Sequence, residues 1–393
     1  MFFERKKIKK GSAAVYMQFF SKSFKRFYFC WGIAIFVVAA FSCSSVREDF
    51  GASSEAGVAL DSIRRYEKEG DYSRALTILR KTLEKCASRE KTLLDWKGRL
   101  EEKVLRQGHS CRLFDAKGRP RAKLLRLLKI VGMEGDLDAM ERPLEQINAW
   151  AQKNLLRQGE RWERQTSDFE PLKSEIVPLL KALGFVEEVP PSFQRYEGAL
   201  VHGAALPRLR SRLHYLIEQW RCGVRFSELY FLSGERPLME SERSLEALTT
   251  SDRSPLKIRS DCSPPSYFPL TECDLARWVW EQADVPEDFR DRVQVYFINA
   301  PMKRHPVDRT LLRPTTDDTV EKWLESQPPL GRYLAVSNSP FILRQDLVVR
   351  KIASERYCLD SVGNEIGEEE QVAVLLDELA RTIFQTKACF TPR

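Results

Sequence analysis

The chain has 393 residues, 43% of them hydrophobic and 30% charged, which is enough apolar material for a substantial core and more than one folding unit. That balance excludes a disordered or low-complexity chain. The net charge of +7 also points away from nucleic acid once it is located: eight Lys or Arg against Glu4 lie within residues 1–26, and everything after Arg26 sums to zero. Nonspecific nucleic-acid binding rests on a basic surface, so no nucleic-acid partner is expected.

The basic stretch leads into Phe27–Phe41 (FYFCWGIAIFVVAAF), an uncharged apolar run. Positive charge before such a run keeps the N-terminus cytoplasmic and sends the remainder across the membrane. Residues 1–50 are therefore read as a signal or anchor segment, and the folded body is placed on the non-cytoplasmic side of a cell envelope with the membrane as a partner. The run ends in Ala40-Phe41-Ser42-Cys43-Ser44, which resembles a bacterial lipoprotein cleavage box with Cys43 as the lipidated residue. Phe41 is bulkier, and Ala40 smaller, than that box usually carries, so an uncleaved anchor stays open beside it. Of nine cysteines, the seven outside this segment are scattered with no CxxC pair, unlike a disulfide scaffold. The four histidines show no pair at helical ligand spacing, so neither a metal nor a cofactor is expected.

Residues 51–190 read as a helical lobe. Leu60, Ile63 and Tyr66, then Tyr72, Ala75, Leu76, Leu79 and Leu83, recur at helical spacing on either side of Gly70-Asp71. The pattern is an αα-hairpin resembling one tetratricopeptide-type unit near 60–85, with the small Ala75 allowing close helix approach. Further helices are expected around Leu124–Val131, Leu144–Trp150 and Ile176–Leu183. Charged residues cover the other faces as a solvated surface, and the lobe suits either a protein-partner surface or a spacer.

After Pro190-Pro191 short apolar runs alternate with amphipathic helices across 191–393, the signature of a parallel sheet. Strands are expected at Ala199–Gly203, Glu228–Leu232, Val293–Ile298, Tyr333–Val336 and around Tyr357–Val362. Helices are expected after Thr271 in capping-box style, over Thr316–Ser326, over Ile342–Lys351 and near Glu368–Phe384. The polar stretch 239–268 is too long for an ordinary connection and reads as a mobile insert or a lid. The fold class is α/β, a Rossmann-like doubly wound and mainly parallel sheet preceded by a separate all-α lobe.

The segments ALVHGA, SRLHYLIEQW, YFLSGERP, TECDLARWVWEQADVP, RPTTDDT and LAVSNSPFILRQ resemble, in order and spacing, the landmarks of the SanA/YdcF-like family of bacterial envelope domains, over about residues 195–362. In that resemblance Gly203 matches the first family glycine, Arg212 the Arg of the first helix, Ser233 and Gly234 the Ser-Gly strand end, and Glu272 the helix-opening Glu. Arg313 and Thr319 match the polar stretch and Arg344 the last Arg. The family His falls on Phe341, the second glycine of Ser-Gly-Gly on Glu235, and the Glu-Asn pair on Lys322-Trp323. The resemblance implies an exported or membrane-anchored envelope protein that binds a nucleotide-like or lipid-linked phosphate ligand.

Open parallel sheets bind ligands beyond the carboxyl ends of their strands. The ligand-binding candidates placed there are Ser233, Arg236, Arg313 and Ser337, with His202, Glu235, Asn299, Lys303, Thr316 and Asn338 in the same loops, and the resemblance adds Gly203, Gly234, Glu272, Thr319 and Arg344. Their cations suit an anionic group. Against this, Ser233-Gly234 and Ser337-Asn338 are also ordinary turn and N-cap residues, and His202 reads first as a packed core histidine. The expected function is a membrane-anchored envelope protein whose α/β lobe binds a small anionic ligand, with catalysis undecided. The alternative is a non-catalytic envelope scaffold with a degenerate α/β lobe.

Overall fold

The computed structural model describes residues 55–69, 72–85, 91–107, 112–115, 117–135, 141–157, 168–249, 255–262, 268–353, 356–367 and 370–390. The anchor segment 1–50 with Cys43, and the Gly70-Asp71 break, lie outside them. Among the described residues no helix is long and apolar enough to cross a membrane. The chain divides into two units, the first made of the described parts of 1–65 and 74–98, the second of 66–73 and 99–393.

Helices α1 (Glu55–Lys68), α2 (Tyr72–Lys85) and α3 (Lys91–Gln107) follow the apolar periodicity of the sequence. In the first unit the periodic positions Leu60, Ile63, Ala75, Leu76, Leu79, Leu93 and Trp96 are buried. Ala75 is fully enclosed, and only a small side chain suits such a position.

In the second unit five parallel strands form one sheet in the order β3-β2-β1-β6-β7. They are β1 (Gly198–His202), β2 (Glu228–Gly234), β3 (Gln294–Ala300), β6 (Gly331–Asn338) and β7 (Tyr357–Asn364). The short β4 (Lys303–Arg304) and β5 (Leu311–Leu312) make a separate antiparallel hairpin. Every residue of central β1 is buried, as a parallel strand covered on both faces requires.

Helices α7 (Leu206–Arg221) and α10 (Glu272–Gln282) cover one face, enclosing Ala199, Val201, Leu213, Phe231, Leu275 and Trp278. Helices α12 (Thr316–Glu325) and α13 (Ile342–Ile352) cover the other, where Leu200, Tyr230, Trp323, Tyr333 and Leu359 meet. Each buried aliphatic or aromatic side chain contributes about 1.5–3 kcal/mol. The sheet is thus doubly wound, and strand order reverses between β1 and β6.

A third core joins α4 (Ala122–Ile130), α5 (Pro143–Asn154) and α6 (Lys173–Leu183) to α14 (Val372–Phe390), the last helix of the chain. Leu124, Ile147 and Leu180 pack there with Leu375, Leu379 and Ile383, and Leu343 of α13 reaches in as well. This helix therefore shares a core with segments far upstream in the sequence, as the bond from Gln152 Nε2 to the Ala380 carbonyl, 228 residues apart, illustrates.

The polar stretch after Met239 is not an irregular loop in its described parts. It forms α8 (Glu240–Arg243) and α9 (Leu245–Thr249), and it sends Leu248 and Leu256 into the sheet core. Buried Arg210 holds it by donating to the carbonyls of Ala247 (3.1 Å) and Leu248 (2.7 Å). Apolar residues spaced eight apart in a polar run carry no periodic signal, which is why the sequence hides this packing.

Candidate functional site

A cleft of about 470 Å³ opens at the carboxyl ends of β1 and β2, beside the point where strand order reverses. Among the described residues seven arginines and four carboxylates line it, and no lysine does. The excess of fixed positive charge is what an anionic group would meet.

Its floor is built by the strand ends. Arg212, carried on α7 and 2% exposed, donates Nε to Asn338 Oδ1 (2.8 Å) at the end of β6. Its Nη1 donates to the carbonyls of His202 (2.8 Å) and Gly203 (2.9 Å) at the end of β1. One guanidinium thus ties the two strands at the reversal point, where orphan carbonyls would otherwise be buried. Burial, then neighbouring Arg208 and Arg344, lower its pKa to about 9, which leaves it charged at neutral pH.

Glycines shape the walls. A Cβ at Gly203 would stand 2.7 Å from the Leu232 carbonyl and 3.0 Å from Glu272 Oε1, so the missing side chain is what admits the Glu272 carboxylate to the strand end. At Gly234 a Cβ would fall 2.4 Å from Pro314 Cγ. The absence of one lets Pro314 seat against β2, which delivers Arg313 to the cleft.

Helix starts supply the remaining lining. In α10, Thr271 and Asp274 are spent on capping: Asp274 N–H donates to Thr271 Oγ1 (3.2 Å) and Thr271 N–H to Asp274 Oδ2 (3.0 Å). Glu272, between them, faces the cleft 3.9 Å from Arg236. Burial raises its pKa, against the opposing pull of Arg236, Arg212 and Arg313. Arg236 itself grips Glu242 with two bonds of 2.9 and 3.1 Å. In α12, Thr315 and Asp318 make the reciprocal cap, and Thr316, Asp317 and Thr319 lie on the cleft side. From α13, Arg344 pairs through Nε with Glu378 of α14, while its two Nη atoms make no hydrogen bond with any described residue. Arg381 of α14 holds Asp377 at 3.0 and 3.1 Å.

The structure therefore brings His202, Gly203, Arg236, Glu272, Arg313, Thr316, Thr319 and Arg344 to one cleft. It does not bring Ser233, Gly234, Glu235, Asn299, Lys303, Ser337 or Asn338 into the lining. Ser233 is fully buried and donates to the Ile298 carbonyl (3.0 Å). Ser337 bonds Gln345, and Asn338 is held by Arg212. Glu235 accepts from Met302 N–H (3.0 Å), and Lys303 is spent on Asp318. Phe341 lies under the Arg208 guanidinium with 4.6 Å to the ring centroid.

Arg157, Arg208, Arg381 and the acids Asp377 and Glu378 were not legible as site residues. Arg208 did carry a signal, four residues before Arg212 on a helix that leaves the central strand. The α14 residues carried none, because nothing local announces that this helix returns to the cleft.

No protein-family model, curated protein or solved structure matches the chain.

Proposed function

We propose that this protein is a membrane-anchored envelope protein of SanA/YdcF-like type whose α/β lobe binds a small anionic ligand, a nucleotide-like or lipid-linked phosphate. The observation that carries this is the cleft at the strand-order reversal, where seven arginines outnumber four carboxylates. Arg212 has Nη2, and Arg344 both Nη atoms, uncommitted to any described residue. Charge-assisted bonds from such donors are the strong kind, and the planar fork suits phosphate oxygens. The basic apolar N-terminus supports the anchor and the envelope location.

The test is a thermal-shift screen of the full chain in detergent against nucleotides, sugar nucleotides and polyprenyl phosphates, with Arg344→Ala in parallel. A saturable rise in Tm that the substitution removes supports the anion site. Cooperative melting with no shift from any compound transfers the case to the scaffold reading, in which Phe341 in place of the family His marks a decayed site and the helical lobe recruits a partner.

A further inference from the structure

His202 is the one histidine among the described residues of the cleft lining, and it is only 2% exposed. Buried imidazoles are normally hydrogen-bonded. No described residue makes a hydrogen bond to this ring, although the backbone carbonyl of the same residue is fixed by Arg212. Strand alternation puts His202 on the face of Leu200, toward α12 and α13, at the level where Arg344 and Thr319 line the cleft. Glu272 reaches the neighbouring strand-end residue from the opposite side, 3.0 Å from where a Gly203 Cβ would stand.

We infer that His202 is a phosphoryl-accepting nucleophile and Glu272 its acid partner, so that the cleft hydrolyses a phosphate monoester. This rests on the anion-binding reading of the same cleft. A nucleophilic imidazole must present one unprotonated nitrogen that no donor blocks, next to groups that neutralise the phosphoryl oxygens. His202 meets each condition. Burial and the charges of Arg212 and Arg344 outweigh Asp346, which is itself paired with Arg350, and push its pKa down to about 3. Arg212 and Arg344, each with donors uncommitted to any described residue, line the same cleft as His202. Glu272, with its pKa raised by burial, is the lining carboxyl suited to carry a proton.

In the first step the imidazole nitrogen forms an N–P bond as the P–O bond to the leaving group breaks, and the Glu272 proton passes to the departing oxygen. In the second a water molecule forms a new P–O bond as P–N breaks, and gives its proton to the Glu272 carboxylate. Imidazole and carboxyl return to their starting forms, and inorganic phosphate leaves. No oxidant or second substrate beyond water is needed.

Inorganic phosphate tests this without knowledge of the leaving group, because the second step run backwards exchanges phosphate oxygen with water. The full chain in detergent is incubated with ¹⁸O-labelled phosphate, loss of label is followed by mass spectrometry, and phosphate binding is read separately from the rise in Tm. Exchange is expected, with an acid-labile, base-stable phosphoryl group on His202 in peptides quenched in alkali. His202→Asn should abolish exchange, and Glu272→Gln should slow it by about 10²–10⁴-fold with phosphate still bound. Should His202→Asn fail to fold, the position of the phosphoryl group on the parent protein decides. Phosphate binding without exchange, or exchange that survives in a folded His202→Asn, overturns the nucleophile and leaves the anion site standing. Absence of both binding and exchange overturns the two together.

Discussion

Replacing Arg212 with Ala removes a side chain that ties β1 to β6 at the reversal of strand order. Three hydrogen bonds are lost, to Asn338 Oδ1 (2.8 Å) and to the carbonyls of His202 (2.8 Å) and Gly203 (2.9 Å). Bonds to charged groups contribute about 1.5–3 kcal/mol each, but the substitution also relieves the cost of holding a guanidinium out of water. With the three acceptors left behind, the net loss is expected at about 3–5 kcal/mol, the range for breaking a buried charged network. The assay is urea unfolding of the full chain, followed by tryptophan fluorescence and read as a change in midpoint at constant slope. Arg212→Lys keeps the charge but not the fork, and should fall between parent and Ala. A loss below about 1 kcal/mol for Arg212→Ala, with unchanged slope, refutes the claim that this guanidinium holds the strand ends together.

Gly363→Ala would put a Cβ 2.4 Å from the Ser337 carbonyl between β7 and β6, a backbone clash that no rotamer relieves. It should cost more than about 3 kcal/mol, seen as loss of soluble yield or a collapsed urea midpoint. Thr271→Ala removes the cap of α10 and should cost about 1 kcal/mol in the same assay, rescued by Ser. His202 has a pKa pushed down to about 3 in the folded protein, against about 6.5 when unfolded. Between those values the unfolded chain binds the extra proton. Stability from this group is therefore full above about pH 6.5 and is lost as pH falls toward 3, at up to about 1.4 kcal/mol per pH unit. His202→Asn should flatten that acid limb by the same slope, measured as midpoint against pH. Arg344→Ala should weaken inorganic phosphate binding about tenfold to a hundredfold by calorimetry, as loss of a charge-assisted contact of 1.5–3 kcal/mol implies.

The strands were legible because burial on both faces forces near-continuous apolar runs, as in GALVH and ELYFL. Their ends were not. β2 runs on to Gly234 and β3 to Ala300, where polar residues continue the ladder in register with their neighbours. The Thr271 cap was legible for a local reason, since both its partners lie within one turn. Strand-end position pointed to Arg236 and Arg313, and the resemblance to Gly203 and Arg344, all of which line the cleft, whereas Ser233 and Ser337 do not. There the hydroxyls turn inward to satisfy buried groups, a choice settled by pairing across the sheet that a linear pattern does not contain.

Helix α14 belongs to two parts of the fold at once. Asp377, Glu378 and Arg381 form one wall of the cleft, while Leu375, Leu379 and Ile383 on the same helix complete the core of α4, α5 and α6. Removing the helix from Val372 onward would therefore open the helical core and the cleft together. A fragment that starts at residue 190 would strand α14 without the helices it packs on.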